Sequence, residues 1–473
     1  MVENLRPATP PTLLTALGSR LNRSLSNPCL LLPFLTAVAL FANLIVPLWL
    51  VAGRMWYSSA LCAAFIVFLS LRPSRLQIAF SGIWGALVLV TFTALFHQVI
   101  FRQMGVRPVE QTAIRMVAFT GIGCLDVGII ACMQAHTLES RGEAVGALLR
   151  CLAFPLAPIP VDFFLLHWSP EMSWDRVLLA SDAALGLQLS FWTARLARSV
   201  PGGMRFLQWV YEALPIAMGG GYAIASGRRR TNLALGLITA GLLGRALHPI
   251  VPAAGPGFVF VGDFPFHEPA LSLSWIRPVF VGDFPFHEPA LSLSWILPIR
   301  VNLILNCVPS LHFAWALLVY WALRPAGRTV RTIATLFVVF TATATLALGE
   351  HYFLDLVIAV PFALAISTLC SKTDFVSWPA ARTAAGVWGA GAVAVWMALL
   401  RAGVMLRAPA WLGWALVVVT LGASLVLERR LFRTLSAGIP AAGTPLHTAC
   451  SPTARSSAAS PIPLAPRRPP QAI

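Results

Sequence analysis

Lysine is all but missing from this chain: Lys372 is the only one in 473 residues, against 33 arginines. Charge of either sign is scarce, at 11% of residues, where a soluble domain carries about 25%. That scarcity excludes an ordinary water-soluble fold. No Cys-x-x-Cys pair occurs; the eight cysteines stand singly, mostly inside apolar runs. This argues against a disulfide framework or a clustered-cysteine zinc site and makes them small core residues. The apolar runs are continuous rather than alternating, so a membrane β-barrel is excluded and helices remain. The formal net charge is +16. The arginines gather between apolar runs, where they set orientation and meet anionic headgroups, so nucleic acid is not an expected partner. Scarce lysine beside abundant arginine and alanine points to a GC-rich bacterial genome.

What the chain has instead is greasy length. It is 58% hydrophobic with a mean hydropathy of +0.76, and runs of 18 or more apolar residues, each long enough to cross a bilayer, recur along it. The expected fold is all-α, a polytopic membrane bundle of about 12 transmembrane helices. They fall at about 29–52, 57–71, 77–101, 116–135, 145–168, 204–226, 231–253, 304–323, 331–348, 351–371, 383–404 and 409–428. The first run is too long for a signal-peptide core and lacks a small-residue cleavage site, so it is expected to be retained. The loops holding Arg72 and Arg75, the "GRRR" ending at Arg230, Arg324 with Arg328 and Arg331, and Arg429 with Arg430 and Arg433 are placed on the cytoplasmic side. The loop with Arg102, Arg107 and Arg115 falls outside, against that rule. Within 169–203 the stretch with Asp182, Gln188 and Arg195 keeps its apolar residues on one face, which predicts an amphipathic helix in the outer interface. "VFVGDFPFHEPALSLSWI" occurs at 259–276 and again at 279–296. Two copies are too few for a solenoid, and the reading is a duplicated outer loop, with no metal pair made by His267 and His287.

Three residues stand out against this background. His351 and Asp355 in "GEHYFLDL" are four apart at the start of a helical run, which stacks them on one face. A carboxylate so placed accepts a ring N–H, fixes the tautomer and leaves the other ring nitrogen as an aimed nucleophile or base. His312 lies in "CVPSLHFAW", just after Pro309, a residue suited to a helix start. In this topology both histidine motifs open helices on the outer side, where N-terminal N–H groups favour phosphate. Two histidines, a carboxylate and an anion site form a phosphoryl-transfer set: one imidazole attacks phosphorus, the carboxylate orients it and the other protonates the leaving oxygen. A zinc site made of the same three residues is the chemical alternative.

"PSLHFAWALL" followed by "HYFLDLVIA" resembles the type 2 phosphatidic acid phosphatase (PAP2) superfamily, most closely its branch of inositol phosphorylceramide synthases and their bacterial relatives. "HPIVPAAGPGFVF" at 248–260 and "SDAALGLQLSFW" are also similar to segments of that branch. The resemblance implies a PAP2-like core, with His351 as the nucleophile forming a phosphohistidine, Asp355 as its support, His312 as the acid–base partner, and neither metal nor cofactor. The Lys-x6-Arg-Pro element of the phosphatases is missing, "PSLH" replaces "PSGH", and their usual Ser-Arg falls on Ala344 and Thr345. Arg300 and, second, Arg245 are therefore candidates to neutralise phosphate, with Ser310 beside them for substrate binding.

The expected organisation is a cytoplasmic segment at 1–28, accessory transmembrane helices at 29–168, the catalytic core with the duplicated loop at 169–375, a helix pair at 383–428 and a disordered tail at 434–473. The expected activity is that of an integral-membrane lipid phosphatase or phosphotransferase acting at the outer leaflet of a bacterial cytoplasmic membrane, on a phospholipid, polyprenyl phosphate or sphingolipid. The alternative is a transporter or lipid-binding protein, suggested by Asp126, Asp162 and Glu212 within apolar runs.

Overall fold

The computed structural model describes residues 24–25, 27–47, 55–95, 109–156, 172–186, 188–225, 232–260, 299–300, 305–371 and 380–437. The duplicated loop with His267 and His287, Asp162 and the tail beyond 437 lie outside the described residues.

The described chain is a bundle of α-helices with one two-residue β-pair. Helix α1 (Pro28–Leu40) runs on through a π-helical turn, Phe41–Ile45. It is followed by α2 (Met55–Ser70), α3 (Arg75–Leu95), α4 (Val109–Gln134) and α5 (Leu138–Leu156). Strand β1 (Met172–Ser173) precedes four shorter helices: α6 (Asp175–Ala184), α7 (Leu189–Ser199), α8 (Gly203–Glu212) and α9 (Leu214–Ala225). Then come α10 (Leu233–Leu247), the single turn α11 (Pro256–Val259) and strand β2 (Ile299–Arg300). The rest is α12 (Leu311–Leu323), α13 (Arg328–Ala347), α14 (Phe353–Cys370), α15 (Ala380–Arg401) and α16 (Ala410–Ala437).

Seven of these are long and apolar enough to cross a membrane, or eight if the bent pair α6–α7 counts as one broken span. The helices α2, α9 and α10 are apolar but shorter. The chain is therefore a multi-pass membrane protein. The expected helices at 204–226 and 304–323 come out shorter. The first is broken into α8 and α9, and the second begins only at Leu311, because residues 305–310 form an irregular loop against the site. The amphipathic helix expected within 169–203 is two helices at 86° to one another, since Gly186, at φ 75°, turns the backbone after α6.

Two groups of helices share the bundle. In the first, α2 and α3 pack on α4, with α5 against α2 and α4. The approach is close because glycines lie at the crossings: a Cβ on Gly123 would strike the Ser81 carbonyl, and one on Gly85 the Phe119 carbonyl. Small residues at crossings are how membrane helices gain contact when the hydrophobic effect gives no help. Asp126 is tied into this group, accepting from Asn43 Nδ2 at 2.8 Å, while Trp84 Nε1 donates to Asn43 Oδ1 at 3.1 Å. In the second group α12 and α14 sit at the centre, ringed by α10, α13, α15 and α16. α14 is apolar on every side and almost wholly buried, as a helix without a polar face must be. α9 joins the groups by packing on both α2 and α12.

Candidate active site

The site is built where α12 and α14 begin. Ser310 is fully buried and caps α12, its Oγ accepting from the Phe313 N–H at 3.4 Å. This fixes the first turn that carries His312. His351 precedes α14 rather than standing on it: Tyr352 is the cap and Asp355 the third helical residue. The expected stacking of His351 and Asp355 on one helical face is thus replaced by a cap geometry. Asp355 Oδ2 turns back to accept the Tyr352 N–H at 2.8 Å, and His351 Nδ1 lies 3.5 Å from the same oxygen. The pair stays in contact because a residue at this position reaches back over the start of its own helix.

The rings of His312 and His351 lie 6.4 Å apart between centroids, tilted by 57°. Tyr211 of α8 stacks on His312 at 3.9 Å and 17°. Arg245, in the last turn of α10, is close enough to act electrostatically on both His248 and His312. The backbone of Arg300 pairs with Met172 across β1–β2; its side chain is outside the described residues. Among the described side chains, Arg245 is the arginine candidate whose charge acts on these histidines. The Ser310 N–H faces the Asp355 carbonyl at 3.4 Å, so the two motifs touch through their backbones as well.

Residues that the sequence reading passed over hold this arrangement. Asp175, fully buried, accepts from the N–H groups of Ala254 and Gly255 at 2.9 and 2.8 Å, from the Tyr352 hydroxyl at 2.8 Å and from the Ser173 hydroxyl. One carboxylate thereby clamps the 252–257 loop to the residue beside His351. Gly255 has φ +106°, and a Cβ there would strike the Glu350 carbonyl at 2.5 Å, so only glycine lets the loop approach. Asp182 caps α14 from another helix, accepting from Phe353 N–H at 2.8 Å and Leu354 N–H at 3.3 Å. Ser190 Oγ donates to the His351 carbonyl at 2.9 Å, and the His351 N–H donates to the Thr345 carbonyl at 3.2 Å. His248 is a third buried imidazole here; burial, and then Arg245, push it well below its ordinary range.

Cys307 belongs to the site rather than to passive core. Its Sγ is 2.7 Å from Asp355 Oδ2, 3.4 Å from His351 Nδ1 and 3.2 Å from the Glu350 carbonyl. Burial, followed by the Asp355 and Asp175 carboxylates, pushes the thiol well above its ordinary range. It is an S–H donor. The ligand-type atoms of Cys307, His351 and Asp355 lie within 4.8 Å of one another. Two ligands of a tetrahedral zinc stand about 3.5 Å apart, given Zn–S and Zn–O bonds of about 2.3 and 2.0 Å. The 2.7 Å contact is instead closed as a hydrogen bond. The set is a hydrogen-bonded triad, and His312 is not part of it.

Residues 176–369 match the family model described as the PAP2 superfamily. No curated protein and no solved structure matches the chain. The matched segment runs from α6 to the end of α14, so it contains His312, His351, Asp355, Asp182, Ser190 and Cys307. A PAP2-type phosphatase or phosphotransferase chemistry on lipid phosphate is what this match supports.

Proposed function

We propose that the protein is an integral-membrane lipid phosphatase or phosphotransferase working through a phosphohistidine. His351 Nε2 attacks phosphorus while Nδ1–H faces Asp355. A P–N bond forms, the P–O bond to the lipid alcohol breaks, and His312 gives that oxygen its proton. In the second step His312 takes a proton from water or from an acceptor alcohol, the oxygen attacks phosphorus, and the P–N bond breaks to release His351. Water gives a phosphatase and an alcohol such as inositol gives the transferase of the synthase-like branch. The triad is common to both. Arg245 offsets the charge on the phosphoryl oxygens, and Ser310 holds the start of α12 in place against the site.

One observation carries this reading: the rings of His312 and His351 are 6.4 Å apart. A phosphorus atom about 3 Å from the attacking nitrogen fits between them with its leaving oxygen toward the second ring. The far ends of the same helices support an outward-facing site. Arg324, Arg328 and Arg331 stand at the ends of α12 and α13 away from the histidines, and Arg429 and Arg430 lie beside Glu428, which pairs with Arg324 at 2.7 Å. Positive residues tend to remain cytoplasmic, which supports a reading with the histidines outside.

The test uses purified protein and radiolabelled lipid phosphate in a chelator. Wild type is expected to release phosphate and to carry an acid-labile, base-stable label during turnover. His351→Ala should lose both. Turnover by His351→Ala equal to wild type would end the assignment.

A further inference from the structure

We propose that Cys307 is a positioning residue of the phosphotransfer reaction, its S–H sharing Asp355 Oδ2 with the His351 ring and thereby setting how strongly the carboxylate holds the nucleophile. The inference rests on the phosphohistidine reading above and extends it to a residue that touches neither substrate nor phosphorus.

The geometry of Asp355 carries it. Its Oδ2 faces three donors: the Tyr352 N–H at 2.8 Å, the Cys307 S–H at 2.7 Å and His351 Nδ1 at 3.5 Å. Its Oδ1 makes no hydrogen bond among the described residues. The shortest contact of the shared oxygen is to sulfur, and the longest is to the histidine it is meant to orient. A sulfur donor would ordinarily be the long one, because sulfur is the larger atom and the weaker donor. A carboxylate oxygen that already accepts two hydrogen bonds spreads its charge over them and pulls less on the third. Cys307 is held for this task. Its own N–H donates to the Ala253 carbonyl at 3.0 Å, it is fully buried, and raising its thiol keeps the proton on sulfur.

The nucleophile needs such moderation because it must both attack and leave. A carboxylate that grips the imidazolium tightly favours the first step and makes His351 a poorer leaving group in the second. The other ionisable groups around the ring are His312 on α12, His248 after α10 with Arg245 behind it, Tyr352 and Asp175 across the capping turn, and Asp182 from α6. Glu350 precedes the ring in the chain, and its carbonyl lies 3.2 Å from the Cys307 sulfur. Apart from the Tyr352 backbone N–H and His351 itself, Cys307 is the side-chain donor to Asp355 Oδ2 among the described residues.

The experiment compares wild type, Cys307→Ala and Cys307→Ser in detergent, reading the pH–rate profile, the steady-state level of phosphohistidine and thermal unfolding. In Cys307→Ala, Asp355 turns its full charge on His351 and holds the ring more tightly. The acid-side midpoint of the rate profile should therefore rise by about half a pH unit or more. More enzyme should be trapped as phosphohistidine, because dephosphorylation slows. Cys307→Ser keeps a donor at the same place and should return both readouts toward wild type. The proposal is overturned if the Ala profile overlays wild type, or if Ala and Ser shift together, which would mean that packing and not the donor matters. It is overturned too if Ala does not fold and Ser shifts although its unfolding temperature matches wild type. A wild-type enzyme that forms no phosphohistidine defeats the parent reading, and this one with it; an unshifted Ala variant beside a labelled wild type defeats only this one.

Discussion

His312 meets the two demands of a general acid from different neighbours. Tyr211 holds its plane from one side at 3.9 Å, and its place at the capped start of α12 fixes where the ring can point. If its role is proton delivery to a poor leaving group, the penalty for losing it depends on the substrate. His312→Asn should lower turnover of a lipid alkyl phosphate by about 10²–10⁴-fold. An aryl phosphate, whose phenolate leaves unprotonated, should still label His351 at close to the wild-type rate. Rapid-quench labelling with both substrates checks this; equal loss on the two would remove His312 from the acid role. The two histidines and Asp355 were legible as candidates because they sit in two short motifs, although His351 and Asp355 meet through a helix cap and not through helical spacing. The groups that hold them were not. Cys307 meets Asp355 across 48 positions, Ser190 meets His351 across 161, Asp182 meets Phe353 across 171 and Tyr352 meets Asp175 across 177. Contacts at such separations leave no periodic trace, and Cys307 and Asp182 looked like a core filler and one polar residue of an interfacial helix.

Among the elements, the entry to α14 is the most heavily braced. Its first N–H groups would be unsatisfied in any isolated helix, and here Asp182 supplies the acceptor from α6 while Asp355 serves the cap itself. Asp182→Ala should destabilise the fold by about 1–2 kcal/mol, the scale of a lost N-cap. It should lower activity as well, because the freed turn carries His351. Asp182→Asn keeps an acceptor and should lose less of both in paired thermal melts and rate assays; an Ala variant as stable as wild type would show that the cap is idle. The same logic of close fit governs the first helical group. Gly123→Val must push α4 off α3, where the Ser81 carbonyl already fills the space, at a cost of about 1–3 kcal/mol. α4 packs chiefly on α2, α3 and α5 and not on the helices that carry the histidines, so melting temperature should fall while the rate per folded molecule holds; a rate that falls with it would tie the accessory helices to catalysis. Apolar length gave the helical class and the order of the elements, but of the twelve expected crossings seven, or eight with the bent pair α6–α7, are long and apolar enough among the described residues. It overran at 204–226 and 304–323, because hydrophobicity does not report where backbone leaves the helix to line a site.

At the scale of the molecule, the site and the arginine clusters occupy opposite ends of the same helices. α12 spans 13 residues, about 20 Å at 1.5 Å each, with His312 in its first turn and Arg324 capping its far end. At the far end Arg324 is held by Glu428 at 2.7 Å and lies over the rings of Tyr320 and Phe432 at 5.4 and 5.3 Å, so this charge is built into the bundle rather than trailing from it. Twelve crossings were expected from apolar length, and the loop with Arg102, Arg107 and Arg115 opposed the orientation chosen. A site facing outward requires the arginines at the far ends of the core helices to be cytoplasmic. A short-chain lipid phosphate that does not cross the bilayer, added outside sealed right-side-out vesicles, should therefore be hydrolysed at the rate seen after detergent permeabilisation. Inverted vesicles should show little activity until they are opened. The reverse pattern would place His351 on the cytoplasmic face, and the acceptor would then have to be sought among cytoplasmic alcohols rather than outer-leaflet lipids.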